Sequence, residues 1–203
     1  MIFNNILFLI KRFFARKRYW YFLPKKFRYF IWNIKTLKKY NTHTGQYYLP
    51  AFAFQDGIRN KIINNEITDI KVFNKLKKFI LPNTIVLDLG ANYGQMSILW
   101  SQQKPNVKVY AFEASTYVFK ILKKNVLINS CNVEPINVLV GNKSIKNQLI
   151  RKSSLKEYPT YGTNKIEEVQ GSSNENTDKI KAIKIDDLKF EKKISAMKID
   201  VQG

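Results

Sequence analysis

The stretch Val86-Leu87-Asp88-Leu89-Gly90-Ala91-Asn92-Tyr93-Gly94 decides the fold of this chain. Residues 84–89 form a short, apolar, largely β-branched run, which is typical of a buried strand in a parallel sheet. Two glycines flank Asn92, and residues 95–103 then carry apolar side chains at helical spacing, so the segment predicts a strand, a tight turn and a helix. Glycine adopts backbone angles barred to other residues, and its missing Cβ lets a ligand approach the main chain. We therefore expect a nucleotide-like ligand at this turn.

An acidic residue follows the next predicted strand. Residues 107–112 are again apolar, and Glu113 ends the run 25 residues after Asp88. An acid at the tip of the neighbouring parallel strand can accept hydrogen bonds from both hydroxyls of a ribose bound over the glycine turn. The alternative is an acid favoured by the dipole of the helix that begins near Ser115. The pairing with the glycine turn favours the ribose interpretation.

The rest of the chain continues this alternation. Helices are predicted over residues 66–80 and 115–130, a third strand over residues 133–140, and a fourth core strand over residues 196–199. Three successive strand–helix units imply right-handed crossovers and a parallel, doubly wound sheet. Gly141-Asn142 would then end the third strand at the same edge as Gly90 and Glu113. Residues 41–60 are predicted as an irregular connection in which residues 47–54 could form a short extended piece.

The glycine turn lacks the features of two common nucleotide sites. A phosphate-binding loop ends in Gly-Lys-Ser/Thr, whereas Gly94 is followed by Gln95 and Met96. The dinucleotide pattern G-x-G-x-x-G needs a glycine where this chain has Asn92, and a side chain there obstructs a pyrophosphate. Asp88 also opposes a phosphate and suits a cationic ligand. S-adenosylmethionine, with a sulfonium, an amino group, a ribose and no phosphate, matches these charges.

Six motifs follow one another along the chain. They are V-L-D-L-G-A-N-Y-G-Q-M-S at residues 86–97, V-Y-A-F-E-A-S at 109–115, L-x-x-N-x-x-x-N at 122–129, V-G-N at 140–142, I-D-D-L at 185–188 and M-K-I-D-V-Q-G at 197–203. In this order they resemble the FkbM-like methyltransferase family. The resemblance spans about two thirds of the chain, from about residue 66 to the end. It implies an α/β fold with the Rossmann-like sheet of class I methyltransferases. It also implies an S-adenosylmethionine-dependent enzyme that methylates hydroxyl oxygens of sugars or other small molecules.

The resemblance further implies roles for individual residues. Asp200 would form the floor of the reaction site, as a general base oriented by Lys198 or as a carboxylate that binds the amino end of the cofactor. No metal ligands are expected. The cofactor-binding residues would be Asp88, Gly90, Ala91, Asn92 and Gly94 at the methionine end, Glu113 at the ribose and Asn142 on the adenine side.

One departure concerns the last motif. The family usually reads K-I-D-V-E-G and continues with further α/β units, whereas this sequence reads K-I-D-V-Q-G and stops. We therefore expect a sheet truncated after the fourth core strand, with an open edge and exposed apolar surface. The predicted organisation is a basic, aromatic, helical N-terminal extension at residues 1–60 and a methyltransferase domain, incomplete at its C-terminus, at residues 61–203.

Charge and cysteine content bear on partners and location. The formal charge is +20, and residues 1–50 contain 11 Lys and Arg and no acidic residue. Residues 1–40 interleave this charge with aromatic side chains, which suits a helical cap on the domain, peripheral contact with a membrane or, less well, nucleic acid. The single cysteine, Cys131, and the absence of a secretion signal favour the cytoplasm.

Two other functions stay open from the sequence. A nucleic-acid methyltransferase would fit the basic charge, but the fourth-strand motif Asp-Val-Gln-Gly differs from the Asn/Asp-Pro-Pro-aromatic motif used on exocyclic amines. The chain could instead be an inactive fragment that serves as a membrane-surface or partner-binding module.

Overall fold

A computed structural model describes residues 36–51, 53, 56–151 and 177–201, together with the isolated positions 24 and 26. The expectations for the N-terminal extension before residue 36, and for Gln202 and Gly203, fall outside the described residues. The division of the chain at residue 60 stays a prediction.

The described elements alternate between strands and helices in the second half of the chain. In chain order they are β1 Leu37–Thr42, β2 Gly45–Pro50, α1 Gly57–Ile63, α2 Ile70–Leu76, β3 Ile85–Leu89, α3 Gln95–Ser101, β4 Lys108–Phe112, α4 Thr116–Ile128, β5 Val133–Ile136, β6 Leu139–Val140, β7 Ile145–Arg151, β8 Thr177–Ile183, a 3₁₀ turn Ile185–Asp187 and β9 Ile194–Ile199.

A parallel four-stranded sheet in the order β5-β4-β3-β9 forms the centre of the fold. The predicted α/β class is confirmed, with β3 at an inner position of the sheet and β9 beside it. All five residues of β3 are buried, as expected for a strand covered on both faces. The glycine turn therefore starts from the best protected strand of the sheet.

The two faces of the sheet are covered by different structures. Val86 and Val109 face a cluster that contains residues of α2, α3 and α4. Leu87 and Phe112 face the opposite cluster, to which β6, β8 and residues 185–190 contribute. Helices on both faces were expected from the doubly wound pattern. In the described part of the chain, the second face is instead covered by the small sheet β6-β8-β7.

An antiparallel hairpin replaces the irregular connection predicted at the start of residues 41–60. Strands β1 and β2 pair from Leu37↔Pro50 to Thr42↔Gly45, and Tyr47 and Leu49 are fully buried. Lysine, asparagine and threonine fill β1 and obscured its period-two pattern in the sequence. The extended piece allowed at residues 47–54 overlaps β2, whereas β1 was missed because the apolar alternation lies on β2 alone.

Two asparagines of α4 attach this hairpin to the domain. The side chain of Asn125 accepts a hydrogen bond from Tyr48 N at 2.6 Å, and that of Asn129 accepts one from Gln46 N at 2.9 Å. Asparagines four residues apart lie on one helix face, and alternate residues of a strand expose their amides on one edge. The L-x-x-N-x-x-x-N motif thus joins α4 to β2.

Two other predicted elements differ in extent. The strand expected over residues 133–140 is divided into β5 and β6, because Asn137 turns the chain by donating to the carbonyls of Glu113 and Ala114 at 2.8 and 3.2 Å. The helix expected over residues 66–80 is confined to α2, whose N-cap is Asp69. Residues between β7 and β8 fall outside the described part of the chain.

Candidate functional site

The carboxyl ends of the four parallel strands meet at one edge of the sheet. The register pairs Leu89 with Phe112 and with Ile199, and Phe112 with Ile136. The next residue of each strand therefore stands at the same level of this edge. These residues are Gly90, Glu113, Asn137 and Asp200. Ligands of open α/β sheets bind outside this edge, so the described strands place a candidate site here.

The glycine turn needs glycine for steric reasons. Gly90 has φ +83°, and a Cβ there would overlap the carbonyl oxygen of Asp200. Gly94 has φ +89°, and its Cβ would lie 2.5 Å from the Leu122 Cδ1 atom. Between them Asn92 takes φ 51°, a left-handed conformation that asparagine tolerates better than most residues. The turn is thus packed directly against β9 and α4.

The backbone amides of the turn are already used inside the protein. The N–H groups of Gly90 and Ala91 both donate to Phe112 O, and that of Gly94 donates to Ala91 O, each at 2.9 Å. Asn92 N donates to Glu113 Oε2 at 2.9 Å, and Tyr93 N donates to Asn92 Oδ1 at 2.8 Å. A phosphate-binding loop presents such amides to its ligand. This turn does not, which agrees with the absence of phosphate-binding motifs.

Lys198 connects the turn to both aspartates of the site. Its Nζ lies 3.2 Å from Asp88 Oδ1, 3.2 Å from the Gly90 carbonyl oxygen and 3.4 Å from Asp200 Oδ2. Burial lowers the pKa of Lys198, but the charges of Asp88 and Asp200 outweigh it, so the pKa is raised overall. Asp88 is fully buried and also accepts a hydrogen bond from Ser97 Oγ at 2.5 Å. The charge of Asp88 is therefore neutralised beneath the turn.

Glu113 fastens the turn to the start of α4. Its Oε2 accepts the amide of Asn92, and its Oε1 accepts that of Ser115 at 2.8 Å. Burial raises the pKa of Glu113 to about 7, although the hydrogen bonds from Ser115 and Asn92 act in the opposite direction. Each carboxylate oxygen can accept a second hydrogen bond, so the ionised side chain keeps capacity for ribose hydroxyls.

A cavity of about 160 Å³ opens above the turn. Two carboxylates border it: Asp69, the N-cap of α2, and Asp200, whose side chain is 73% exposed. Lys198 is the cation among the cavity residues, so acidic groups predominate. The cavity is lined by Ile58, Thr68, Asp69, Gly90, Ala91, Asn92, Tyr93, Gly94, Gln95, Met96, Lys198 and Asp200.

The family of the chain follows from a match that begins at the acid of β3. The family profile described as the methyltransferase FkbM domain matches residues 88–203, which is more than half of the chain. This chain belongs to the FkbM methyltransferase family. The resemblance inferred from the sequence is confirmed.

Three solved structures have local similarity to this FkbM family member, and two of them are named as methyltransferases. M. jannaschii TYW2 in complex with AdoMet is 21% identical, with a TM-score of 0.37 over 51% of this chain and 43% of that one. The M. jannaschii tRNA m1G37 methyltransferase is 19% identical, with a TM-score of 0.36 over 56% and 37%. The precorrin-6y C5,15-methyltransferase of Geobacter metallireducens is 25% identical, with a TM-score of 0.31 over 36% and 40%. The chain thus spans less than half the length of these proteins. No match was found among curated proteins.

Most of the residues predicted for the FkbM site are brought together. Gly90, Ala91, Asn92, Gly94, Lys198 and Asp200 line the cavity, and Glu113 holds the turn from the next strand. Two lie elsewhere. Asp88 lies under the turn, and Asn142 lies in an exposed loop after β6, outside the four-stranded sheet. Direct contact of any of these residues with the cofactor stays a prediction.

Sequence reasoning missed the N-terminal side of this FkbM site. Tyr93 Oη donates to Asp56 Oδ2 at 2.6 Å, and the Gln95 side chain accepts from Thr68 N and donates to Glu66 O, each at 2.9 Å. The capping aspartates before α1 and α2 are readable in the sequence as helix N-caps. Nothing local indicates that both reach the glycine turn.

Neither a metal site nor a membrane span is found in the parts of the chain that the structure describes. No group of three or more His, Cys, Asp or Glu side chains there could hold a metal ion. Among the same residues, no helix has the length and apolar character to cross a bilayer.

Proposed function

We propose that this chain binds S-adenosylmethionine at the Gly90–Gly94 turn and transfers its methyl group to a hydroxyl of a sugar or another small molecule. The observation that carries the proposal is the cavity above the turn. It combines two tightly packed glycines, internally satisfied amides and a border with two carboxylates and one ammonium. These features suit a ligand with a positive charge and no phosphate.

The cavity residues suggest an orientation for the cofactor. The methionine end would lie over the turn, where Asp69 and Asp200 face its ammonium and sulfonium charges. The ribose would lie toward Glu113, whose carboxylate stands at the neighbouring strand end. The adenine would extend from there toward β5 and β6. Asn142 is our predicted contact in that region, and Asn137 is the residue that directly follows β5.

The reaction would be an in-line methyl transfer. Bound S-adenosylmethionine supplies an electrophilic methyl group on a positively charged sulfur. As the acceptor oxygen bonds to the methyl carbon, the carbon–sulfur bond breaks and its electron pair stays on sulfur. Asp200 is our candidate to take the hydroxyl proton, because its carboxylate is exposed at the cavity and held by Lys198 at 3.4 Å. Positioning within the cavity would supply most of the acceleration.

Asp200 has a second role open to it. Instead of taking the proton, the carboxylate could hold the ammonium of the cofactor. The two roles separate in the Asp200→Asn variant. Loss of a base lowers kcat about 100-fold or more with unchanged affinity for S-adenosylhomocysteine. Loss of an ammonium ligand weakens that affinity. If the variant keeps both full turnover and full affinity, neither role is correct.

The acceptor class is tested with methyl-labelled S-adenosylmethionine. Purified protein is incubated with a panel of monosaccharides and oligosaccharides, and separately with total tRNA. Label in the saccharide fraction as an alkali-stable methyl ether supports the proposal. Label found only in RNA contradicts it and favours the nucleic-acid alternative. The matched control for the Asp200→Asn variant is Asp186→Asn, which removes the charge of an exposed aspartate outside the cavity.

A further inference from the structure

The hairpin β1–β2 and helix α4 together form a basic surface that the proposed methyl transfer does not use. Neither element contains an acidic residue, whereas the hairpin contains Lys38 and Lys39 and the helix contains Lys120, Lys123 and Lys124. All five lysines are exposed, and none lines the cavity above the glycine turn. The positive charge of this surface is therefore not balanced within the two elements.

Four of these lysines, Lys39, Lys120, Lys123 and Lys124, belong to one continuous surface. Lys38 is opposite the buried Leu49 and projects to the other face of the hairpin. Asn125 and Asn129 attach α4 to β2 through backbone hydrogen bonds of Tyr48 and Gln46. Lys124 Nζ lies 5.6 Å from the centre of the Tyr48 ring. On the neighbouring strand β1, Lys39 is the cross-strand partner of Tyr48. Directly opposed residues of an antiparallel pair project to the same side of the sheet. Tyr48 therefore lies between lysines of both elements.

An exposed leucine lies on the same face of α4. Lys120, Lys123, Lys124 and Leu127 follow the spacing of a single helical stripe. The Leu127 side chain is 79% exposed, the highest value among the exposed large apolar residues of the described chain. A basic stripe that ends in a large exposed apolar side chain matches the surface of a helix that rests on an anionic bilayer.

The aromatic rings of this surface argue against nucleic acid. Single-stranded nucleic acids are held by aromatic faces on which bases stack. Here Lys124 stands over Tyr48, Lys123 stands 5.8 Å from the Phe119 ring centre, and Lys38 stands 5.5 Å from that of Tyr40. A lysine thus lies near one face of each ring, and Phe119 and Tyr40 also pack against the core clusters. Charge and an apolar side chain are therefore the main features presented outward.

We propose that the β1–β2 and α4 surface docks on membranes that contain anionic lipids, with the lysines at the headgroups and Leu127 in the interface. The sequence before the hairpin supports a membrane as the partner, because the basic and aromatic residues 1–35 directly precede β1. Each lysine near an anionic membrane raises the binding affinity about fivefold.

The test is vesicle co-sedimentation of the full chain at about 0.1 M salt. The probes are vesicles of phosphatidylcholine alone and vesicles that also contain phosphatidylglycerol. The charge-reversal variant Lys39→Glu/Lys120→Glu/Lys124→Glu is expected to bind the anionic vesicles at least about 30-fold more weakly than the wild type. The matched control is Lys71→Glu/Lys75→Glu/Lys78→Glu, which changes the same charge on and just after α2, a helix that contacts β9 at the opposite edge of the sheet. Its affinity is expected to fall less than about fivefold.

Further arms identify what the surface binds. Leu127→Ser is expected to weaken anionic-vesicle binding by about fivefold, whereas a purely ionic surface would not respond. A single-stranded oligoribonucleotide of about 20 nucleotides is titrated in parallel. Equal losses in the two triple variants would overturn the proposal, because binding would then follow net charge alone. An oligonucleotide bound more tightly than the vesicles, and lost only in the first triple variant, would assign the surface to nucleic acid. Circular dichroism checks folding, and the corresponding Lys→Gln triple variant replaces the Glu variant if that variant is unfolded.

Discussion

Replacing Lys198 with methionine should destabilise the domain severely. The lysine is the only cation that the described structure pairs with Asp88, and the Asp88 side chain is 0% exposed while that of Lys198 is 11% exposed. Methionine retains most of the apolar stem and removes the charge. Asp88 would then keep the hydrogen bond from Ser97 Oγ but lose its counter-ion.

The expected cost follows from the burial of this pair. Removing one member of a buried ion pair costs about 3–5 kcal/mol, because the partner is left as an uncompensated buried charge. With a urea dependence of about 2 kcal/mol per M, the unfolding midpoint should fall by about 1.5–2.5 M. The double variant Asp88→Asn/Lys198→Met should be less destabilised than the sum of the single variants, with a coupling of about 1.5 kcal/mol or more.

The measurement is equilibrium urea unfolding followed by circular dichroism. Lys108→Met is the matched control, because Lys108 pairs with Glu134 on the same sheet at 2.6 Å while both side chains are substantially exposed, at 35% and 49%. An exposed pair contributes about 0.2–1 kcal/mol. A loss below about 1 kcal/mol for Lys198→Met, similar to that of the control, would refute the reasoning that Lys198 holds a buried charge beneath the turn.

Three further predictions concern the turn and its supports. Gly90→Ala should abolish S-adenosylhomocysteine binding in calorimetry, because its Cβ meets backbone at a positive φ, whereas Gly57→Ala, with open space around the Cβ, should leave binding intact. Affinity for S-adenosylhomocysteine should fall as the pH drops from 8 to 6, since protonation of Glu113, with a pKa of about 7, removes an acceptor for ribose; Glu113→Gln should flatten this profile. In the ligand-free protein, the contribution of Glu113 to the free energy of unfolding should fall as pH rises from 4.5 to 7. The reason is that the folded state binds the carboxyl proton more tightly than the unfolded state. Asn125→Ala should lower the free energy of unfolding in urea by about 2–3 kcal/mol, because it leaves the Tyr48 amide and the Tyr93 carbonyl without this partner. The control Asn142→Ala should leave the free energy of unfolding unchanged.

The sheet and its functional edge could be predicted from local sequence. Each parallel strand is a short apolar run followed by a turn residue, and parallel strands bring their carboxyl ends together. Gly90, Glu113 and Asp200 were therefore predictable as neighbours, and the register confirms that they share one edge. The third strand end was misplaced because Asn137, rather than Gly141, turns the chain.

The supports of the site could not be read in the same way. Asn125 and Asn129 bind the hairpin through hydrogen bonds to residues that lie 77 and 83 positions earlier in the sequence. Similarly, the pairing of Lys198 with Asp88, which the sequence did not indicate, spans 110 residues. Such contacts depend on tertiary packing, which neither hydrophobic periodicity nor motif spacing records.

The most direct test of the central claim is isothermal titration calorimetry of the full chain with S-adenosylhomocysteine, with ATP and NAD as comparison ligands. The amides of the Gly90–Gly94 turn are satisfied internally, and carboxylates outnumber ammonium groups at the cavity. We therefore expect saturable one-to-one binding of S-adenosylhomocysteine alone. No binding of S-adenosylhomocysteine, or its displacement from the site by ATP, would contradict the assignment of this turn as a methyl-donor site.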